Sequence, residues 1–322
     1  MEIGINVRHQ NGATFEEIVV GVTTAERVGF DVVSFPDHYL PTEHVRNPDG
    51  SHGLAADRSP AGPSDVWTLL PALVPHTHHI RFSTLMTSST FRQPGPLAVA
   101  VAQVNRIAGG GRVSLGLGAN WHEPEHLAFG LPFPPQGERF DRLEEQLAII
   151  RAFWTTAPDR TFNFEGEHYT VRDAVGIPSP AAGRPRIVVG GWGLKRVPRL
   201  VATFADQANS PSRTPDDARP FFDACAAACE KIGRDPASLQ RSVMITGMTI
   251  GEDQAAIDAQ LAAAGVTREQ VAGSPLLEPS HAVELIQEFD AMGIDLLVLS
   301  CRGSIDPANI ELIGERILPK VR

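Results

Sequence analysis

The chain has 322 residues, of which 42% are hydrophobic, and its formal net charge is −10 because 28 lysines and arginines face 38 aspartates and glutamates. This composition is typical of a globular protein with a large core, and the length accommodates either two domains or one α/β barrel with insertions. The acidic balance argues against a nucleic acid or an anionic membrane surface as a partner, because phosphate recognition needs an excess of cationic side chains.

The sequence also argues against export and membrane insertion. No apolar run approaches the roughly 20 residues of a membrane-spanning helix. The first seven residues lack the basic segment and the long apolar stretch of a signal peptide. The three cysteines are an odd number in a large chain, which makes a disulfide framework improbable. We therefore expect a cytoplasmic protein.

Eight short apolar runs, each bounded by glycine or polar residues, predict β-strands. Helical patterns separate most of them: Thr14 and Glu17 form a capping box that begins a helix ending at Gly29, and apolar residues recur every three or four positions from Glu138 to Trp154. This alternation favours an α/β fold, a single-domain (β/α)8 TIM barrel with insertions, over an open doubly wound sheet. The eight runs lie at residues 3–7, 31–35, 80–86, 113–118, 186–190, 206–209, 243–250 and 295–300.

Two segments depart from the simple repeat. Residues 41–64 form a connection rich in proline, glycine and charge, longer than an ordinary loop, and we expect a lid there. Residues 161–171 alternate Phe162, Phe164 and Tyr169 around Gly166, which predicts a small hairpin outside the barrel.

The segment His122-Glu123-Pro124-Glu125-His126 matches the zinc-site pattern H-E-x-x-H, which places two imidazoles one helical turn apart. Pro124 weakens this interpretation. Because proline favours the first turn of a helix, we expect the helix to begin near Pro124 and His122 to precede it, so that the two imidazoles do not share a face. A polar loop followed by a helix start explains the pattern better.

Two glycine-rich turns follow predicted strands, at residues 116–120 and 190–193. Neither completes the dinucleotide pattern G-x-G-x-x-G, and no P-loop lysine motif is present, so a Rossmann site is disfavoured. The second turn precedes a helical segment at residues 194–204, and it would expose backbone donors suited to a phosphate. A tight strand-to-helix turn without a ligand explains the same residues.

Asp37 and His38 follow the second predicted strand, and the carboxyl ends of barrel strands carry the chemistry of this fold. An imidazole there can donate or accept a proton near neutral pH. Either residue could instead only cap the following loop.

Four aromatic residues near the predicted strand-to-helix junctions could line a site for a planar ligand or belong to the core. They are Trp67, Phe91, Trp121 and Trp192. Cys225 and Cys229, four residues apart on a helical pattern, are better explained as buried packing residues than as metal ligands.

Five phrases, in order and at the expected spacing, resemble the luciferase-like monooxygenase superfamily, and most closely its deazaflavin-using branch, the coenzyme F420-dependent oxidoreductases. The resemblance spans nearly the whole chain. It is less decisive between F420 and FMN than about the superfamily. The phrases are FPDH at residues 35–38, TFRQP at 90–94, GRVSLGLGANW at 111–121, AFGLPFP at 128–134 and VGG at 189–191.

The resemblance implies a (β/α)8 barrel, usually a homodimer, with a flavin or deazaflavin at the carboxyl-terminal mouth. It implies that His38 contacts the reactive ring edge and handles a proton during hydride transfer, with Asp37 beside it. The cofactor-binding residues that it implies, besides Asp37 and His38, belong to a bulge with a cis peptide bond behind the ring, to a turn along the cofactor and to a phosphate-binding turn. These are Thr84, Leu85 and Met86 for the bulge, Gly118, Ala119, Asn120 and Trp121 for the first turn, and Val189, Gly190, Gly191 and Trp192 for the second.

The sequence departs from the common pattern of the superfamily at three positions. Asn120 stands where many relatives have glycine, and Pro36 precedes Asp37 where a small or polar residue is usual. Trp121 stands close to where related dehydrogenases place a carboxylate. His38 is therefore expected to act without a second acid or base at position 121.

The function that these observations favour is hydride transfer between coenzyme F420 and a small-molecule substrate, with no nucleic acid or membrane partner. The closest alternative is a monooxygenase that uses FMN, because the same barrel and glycine pair would serve both cofactors. More remote alternatives are a zinc hydrolase, which would need His122, His126 and a third ligand, and a flavin-binding protein without activity.

Overall fold

The computed structural model describes residues 1–42, 44–46, 52–54, 62–179 and 181–322. Eight parallel strands pair in chain order, and β8 pairs with β1, with Ile3 opposite Leu297, so that the sheet closes into a barrel. All eight predicted strands are confirmed. They are β1 (Glu2–Asn6), β2 (Val32–Phe35), β3 (Arg81–Thr84), β4 (Val113–Gly118), β5 (Arg186–Gly190), β6 (Gln207–Ser210), β7 (Gln240–Ile250) and β8 (Leu296–Cys301).

Helices surround the barrel. In the part of the chain that the structure describes, no helix is both long enough and apolar enough to cross a membrane. The helices are α1 (Phe15–Val28), α2 (Val66–Leu73), α3 (Pro94–Ile107), α4 (Glu123–Ala128), α5 (Gln136–Thr155), α6 (Arg196–Phe204), α7 (Pro215–Lys231), α8 (Gln254–Ala263), α9 (Pro279–Ala291), α10 (Pro307–Arg316) and α11 (Leu318–Val321).

Local sequence signals set the bounds of α1. The Thr14 hydroxyl accepts the backbone N–H of Glu17 at 3.2 Å, and the Glu17 carboxylate accepts the backbone N–H of Thr14 at 2.8 Å. Gly29 ends the helix at φ 103°, a left-handed conformation that glycine adopts at little cost. The predicted capping box and helix end are thus confirmed.

Among the described residues the core divides into one large and two small apolar clusters, and one of the small clusters lies around α8 with Ile257, Leu261, Val266 and Val271. The large cluster lies between the barrel and the helices and includes Phe30, Phe82 and Phe289, all buried. A smaller apolar cluster, formed by Val32, Leu85, Val188, Leu296 and Val298, belongs to the strands and to the turn after β3. Because the strand residues next in sequence pack on the larger core and side chains alternate across a strand, this cluster fills the barrel interior.

A polar layer lies on the barrel strands as well. The Asn6 amide donates to Ser34 at 2.9 Å, and the amides of Gln207 and Asn209 donate to Ser242 at 2.7 Å and 2.9 Å. These side chains are buried, and their mutual hydrogen bonds offset the loss of water.

The predicted hairpin is present as two antiparallel strands, Thr161–Glu165 and Thr170–Val175. The Glu145 carboxylate on α5 accepts three backbone N–H groups of its turn, at residues 167–169. The predicted lid at residues 41–64 lies mostly outside the described residues. Within it the structure describes an antiparallel pair, His44–Arg46 with His52–Leu54.

Candidate functional site

His38 and Glu125 form the centre of the candidate site. His38 follows β2 at the carboxyl-terminal mouth, and its side chain is 13% exposed. Its Nδ1 lies 2.9 Å from Oε2 of Glu125, whose side chain is fully buried in the first turns of α4. The other oxygen, Oε1, accepts the backbone N–H groups of Tyr39 and of Leu40, the latter at 2.9 Å. One carboxylate therefore holds both the histidine ring and the backbone that follows it.

The protonation state of Glu125 fixes the tautomer of His38. Burial favours the protonated acid, but the nearby His122 ring, the His38 ring and the Leu40 amide outweigh burial and lower the pKa of Glu125 to about 2. An ionised carboxylate only accepts hydrogen bonds, so Nδ1 of His38 must carry the proton. Nε2 is then the ring nitrogen that can accept a proton.

The low pKa of Glu125 predicts an acid-sensitive contribution to stability. Because the folded-state pKa lies below the ordinary value of 4.5, this contribution is complete above about pH 4.5 and is lost as the pH falls towards 2. We expect the difference in free energy of unfolding between wild type and Glu125→Gln to be larger at pH 6 than at pH 3. Urea unfolding at both values measures it.

A matched control for this comparison is Glu288→Gln, at an exposed position on α9. The control should differ little from wild type at either pH. A difference for Glu125→Gln that stays the same at pH 3 and pH 6 would contradict the assigned ionisation of Glu125.

Asp37 lies in a network of charged groups next to His38. Its carboxylate is fully buried and accepts from Nη1 and Nη2 of Arg92 at 2.5 Å and 3.3 Å. Arg92 also pairs with Asp65, the N-cap residue of α2, and donates to the Tyr39 hydroxyl at 3.2 Å. Burial raises the pKa of Asp37, and Arg92 opposes that shift. The network ties the residues after β2 to the start of α2.

The structure separates the two histidines of the H-E-x-x-H pattern, as the sequence predicts. The helix α4 begins at Glu123, and His122 is its N-cap residue. Nδ1 of His126 donates to the His122 carbonyl at 2.9 Å, and its Nε2 lies 2.6 Å from the Thr90 hydroxyl. Both nitrogens of His126 are engaged, so neither is available for the ligand pair, His122 with His126, that the remote zinc-hydrolase alternative requires.

The turn after β4 lies against His38. Asn120 adopts a left-handed conformation at φ 61°, which asparagine tolerates better than most residues. Its side-chain oxygen accepts the N–H groups of Trp121 and of His122 at 2.5 Å and 2.8 Å. Trp121 stacks on His122, with ring centroids 4.9 Å apart, and its ring centroid is 5.7 Å from that of His38. The turn that begins with Gly118 and Ala119 thus reaches the proton-carrying ring.

The segment after β3 turns into the barrel beside β4. The peptide bond between Leu85 and Met86 is cis, at the place that the resemblance implies. The Thr84 hydroxyl donates to the Gly116 carbonyl at 3.1 Å and accepts the Gly116 N–H at 3.0 Å. A side chain at Gly116 would place its Cβ 2.0 Å from the Thr84 carbonyl oxygen, so only glycine allows this close approach.

The glycine turn after β5 opens at the same mouth. The Gly191 N–H donates to the Asn209 carbonyl at 3.2 Å, so this amide is already used. The N–H groups of the next three residues, Trp192, Gly193 and Leu194, have no acceptor in the described part of the chain. Trp192 is 72% exposed, and its indole donates to the Pro211 carbonyl at 2.9 Å. These three amides are the donors that the turn leaves for a ligand.

Of the other aromatic and cysteine residues noted in the sequence, some lie in the core and one contacts the site. Trp67 is buried and donates to the Thr87 hydroxyl at 3.0 Å, whereas Phe91 stacks on Tyr39 with ring centroids 5.0 Å apart. Cys225 and Cys229 are buried free thiols, and burial raises the pKa of Cys225 to about 12. Their expected packing role is consistent with this placement.

The sequence reasoning did not find the two residues that organise the site. Glu125 was considered only as part of a zinc pattern, although a glutamate in the first turn of a helix that starts at a strand end is a detectable signal. Arg92 lies in a phrase that carried the family resemblance, but nothing local indicated its partners, Asp37 and Asp65, which are 55 and 27 residues away.

Similarity to known proteins identifies the family of the chain. The model of the family "luciferase-like monooxygenase" matches residues 1–299. An F420-dependent glucose-6-phosphate dehydrogenase of Nakamurella multipartita is 30% identical over 92% of this chain and 90% of that protein. Among solved structures, an F420-dependent secondary alcohol dehydrogenase in complex with an F420-acetone adduct has a TM-score of 0.77 at 21% identity, covering 100% of this chain and 99% of that one. The monooxygenase RslO1 from Streptomyces bottropensis has a TM-score of 0.76 at 18% identity, covering 100% of both chains.

The two solved structures share the barrel fold with this chain at low sequence identity. The family model covers most of the sequence, from the first strand into the last. The chain therefore belongs to the luciferase-like monooxygenase family.

Proposed function

We propose that this chain is an oxidoreductase that transfers a hydride between coenzyme F420 and a small organic substrate. Two comparisons support this function. The family model matches residues 1–299, and a relative named as an F420-dependent glucose-6-phosphate dehydrogenase aligns over 92% of the chain. The structural observation that carries the proposal is the ionised Glu125 beside His38. It leaves Nε2 of His38 as a proton acceptor at the barrel mouth, where a hydroxyl group must lose a proton as its carbon loses a hydride.

The residues at the mouth fit a phosphate-bearing cofactor. The N–H groups of Trp192, Gly193 and Leu194, which precede α6, have no acceptor among the described residues, and backbone N–H groups next to a helix start can bind phosphate. A Cβ added at Gly191 or Gly193 would meet only Val197 within 4 Å, at 3.8 Å and 3.4 Å. We assign the phosphate to Val189, Gly190, Gly191 and Trp192 together with Gly193 and Leu194.

The ring of the cofactor is assigned to the neighbouring part of the mouth, at the ends of β3 and β4, since β4 pairs with β5. Thr84, Leu85 and Met86 would lie behind it, and the turn of Gly118, Ala119, Asn120 and Trp121 would lie along it. Asp37 and His38 follow β2, which is the neighbour of β3 in the barrel order. Coenzyme F420, when bound, supplies the hydride acceptor or donor, and the protein supplies orientation and the proton acceptor.

His38 acts as the acid and base in this proposal. In substrate oxidation, Nε2 of His38 accepts the hydroxyl proton, and the ionised Glu125 stabilises the imidazolium ion that forms, since the carboxylate already accepts from Nδ1. Asp37 does not touch the substrate in this assignment, because its oxygens are engaged by Arg92. It is a positioning residue that keeps the end of β2 in place.

We infer that the substrate carries a hydroxyl group, because Nε2 of His38 is placed at the mouth to accept a proton. Glucose-6-phosphate is the first compound to test, since the aligned relative is named for it. Purified protein should bind F420 more tightly than FMN in an absorbance titration, and the absorbance of the oxidised cofactor should fall when a substrate is added. Tight binding of FMN with oxygen consumption, and no binding of F420, would overturn the proposal.

A substitution in the glycine turn tests the phosphate assignment. Gly193→Val should weaken F420 binding at least tenfold, because the new side chain occupies the approach to the free amides while its backbone stays in an ordinary conformation. Gly191 is less suitable, since its φ of 143° would be strained by any side chain. A matched control is Gly137→Val, where a new Cβ meets open space. Unchanged F420 affinity in folded Gly193→Val would show that the turn is only structural.

We also propose that the protein is a cytoplasmic homodimer. The three cysteines are free and buried, which suits a reducing compartment. The dimer follows from the family resemblance, and light scattering of the purified protein tests it: a monomer at micromolar concentration would contradict it.

A further inference from the structure

Three metal-ligating side chains converge at the barrel mouth. One nitrogen each of His38 and His122 and one carboxylate oxygen of Glu125 all lie within 4.8 Å of one another. Oε2 of Glu125 is 2.9 Å from Nδ1 of His38 and 3.7 Å from Nδ1 of His122. The His122 residue is 3% exposed, and its Nδ1 has no hydrogen-bond partner among the described residues. A buried nitrogen without a partner, directed at a carboxylate, is costly unless something binds it.

The spacing of these atoms suits a small divalent ion. Ligand atoms 2.0–2.1 Å from a tetrahedral zinc ion lie about 3.3 Å apart. The two measured separations, 2.9 Å and 3.7 Å, bracket that value. The two imidazole nitrogens lie within 4.8 Å of each other, so binding of an ion requires the two rings to move towards it.

The chemistry of the ligands also suits zinc. Two imidazoles and one carboxylate are a common zinc ligand set, with a water molecule in the fourth position. Oε1 of Glu125 is held by the N–H groups of Tyr39 and Leu40, so the carboxylate is oriented and its Oε2 can face the ion. The ligand set carries a single negative charge, which offsets half of the charge of the ion.

We propose that His38, His122 and Glu125 form a binding site for one zinc ion, and that zinc bound there inhibits the oxidation of substrate. The inhibition rests on the proposed function of His38. When Nδ1 of His38 binds the ion, it loses its proton and Nε2 gains one, so the number of protons on the ring does not change. Nε2 is then a donor and cannot accept the hydroxyl proton.

The test uses the full chain, freed of metal with a chelator and then loaded with F420. Co²⁺ serves as the spectroscopic probe, because its visible absorption reports the number and type of ligands, and Zn²⁺ serves as the inhibitor. The informative variant is His122→Asn, because asparagine is a favoured helix N-cap residue and the substitution removes one proposed ligand while keeping His38 and Glu125. The inhibition of each variant is compared with its own metal-free rate. A matched control is His281→Asn, an exposed histidine on α9.

We expect one equivalent of Co²⁺ to bind wild type and His281→Asn, at least tenfold more tightly than His122→Asn. We also expect Zn²⁺ to inhibit wild type and His281→Asn, and to inhibit His122→Asn only at tenfold or higher concentration. Absence of Co²⁺ binding to wild type, or equal binding to His122→Asn, would overturn the site. Binding of metal without inhibition would overturn the inhibition.

A different result would show that the proposed function is wrong while leaving the metal site open to test. The metal-free wild type would then show no F420-dependent turnover with any hydroxyl-bearing substrate, while the Co²⁺ titration would still decide whether the metal site exists.

Discussion

Replacing His38 with alanine should lower the rate of hydride transfer by about 10²- to 10⁴-fold, the range typical of general acid–base assistance. The reason is that the Nδ1 proton of His38 is fixed by an ionised carboxylate, which leaves Nε2 as the proton acceptor. Cofactor affinity should change little, because the phosphate is assigned to the turn after β5. A single-turnover rate at saturating substrate, together with a cofactor titration, measures both quantities.

The alternative role for His38 is packing. In that case His38→Ala would keep its single-turnover rate and lose thermal stability, so the thermal midpoint must be measured with the rate. The companion variant Glu125→Gln separates orientation from proton transfer. It retains His38 but removes the charge that fixes the tautomer, and we expect a smaller loss of rate with a shifted pH profile. An unchanged pH profile would contradict the positioning role of Glu125.

Replacing Arg92 with methionine should cost about 3–5 kcal/mol of unfolding free energy, the cost typical of removing one partner of a buried ion pair. The substitution leaves the fully buried carboxylate of Asp37 without its cation. Burial, which already raises the pKa of Asp37, would then act without opposition. Urea unfolding near neutral pH measures the loss.

Two comparisons make the Arg92 result specific. Arg199→Met removes an exposed pair with Glu144 on the outer helices and should cost less than about 1 kcal/mol. The double variant Asp37→Asn with Arg92→Met removes both charges and should recover part of the loss. Equal costs for Arg92→Met and Arg199→Met would show that the network does not behave as a buried pair.

The barrel was predictable because its strands are short apolar runs between glycine or polar residues. The strand bounds differ from prediction where another interaction takes over. The third apolar run continues to Met86, yet β3 ends at Thr84, because Leu85 and Met86 turn into the barrel and remain apolar for that reason. The strand β7 begins at Gln240, three residues before its apolar run, because its first residues pair with β6 in the polar layer.

The candidate site was predictable only where position on the barrel is informative. His38 and the two glycine turns follow strands, and the fold brings all strand ends to one mouth. The contacts that decide their chemistry join residues distant in sequence: Glu125 meets His38 at a separation of 87 residues. No local pattern encodes such a pair. The pattern H-E-x-x-H pairs His122 with His126, whereas the fold places the His122 ring 5.9 Å from the His38 ring.

The guanidinium of Arg92 has a consequence for how new specificities can arise in this barrel. It holds Asp37 and Tyr39 on one side and Asp65 on the other, so a single side chain clamps both stems of the long insertion. Since the entropy of closing a loop grows only slowly with length once its ends are joined, segments of different length and sequence can be exchanged between these stems. Such a transplant would leave the pair of His38 and Glu125 in place, because both residues lie outside the exchanged segment.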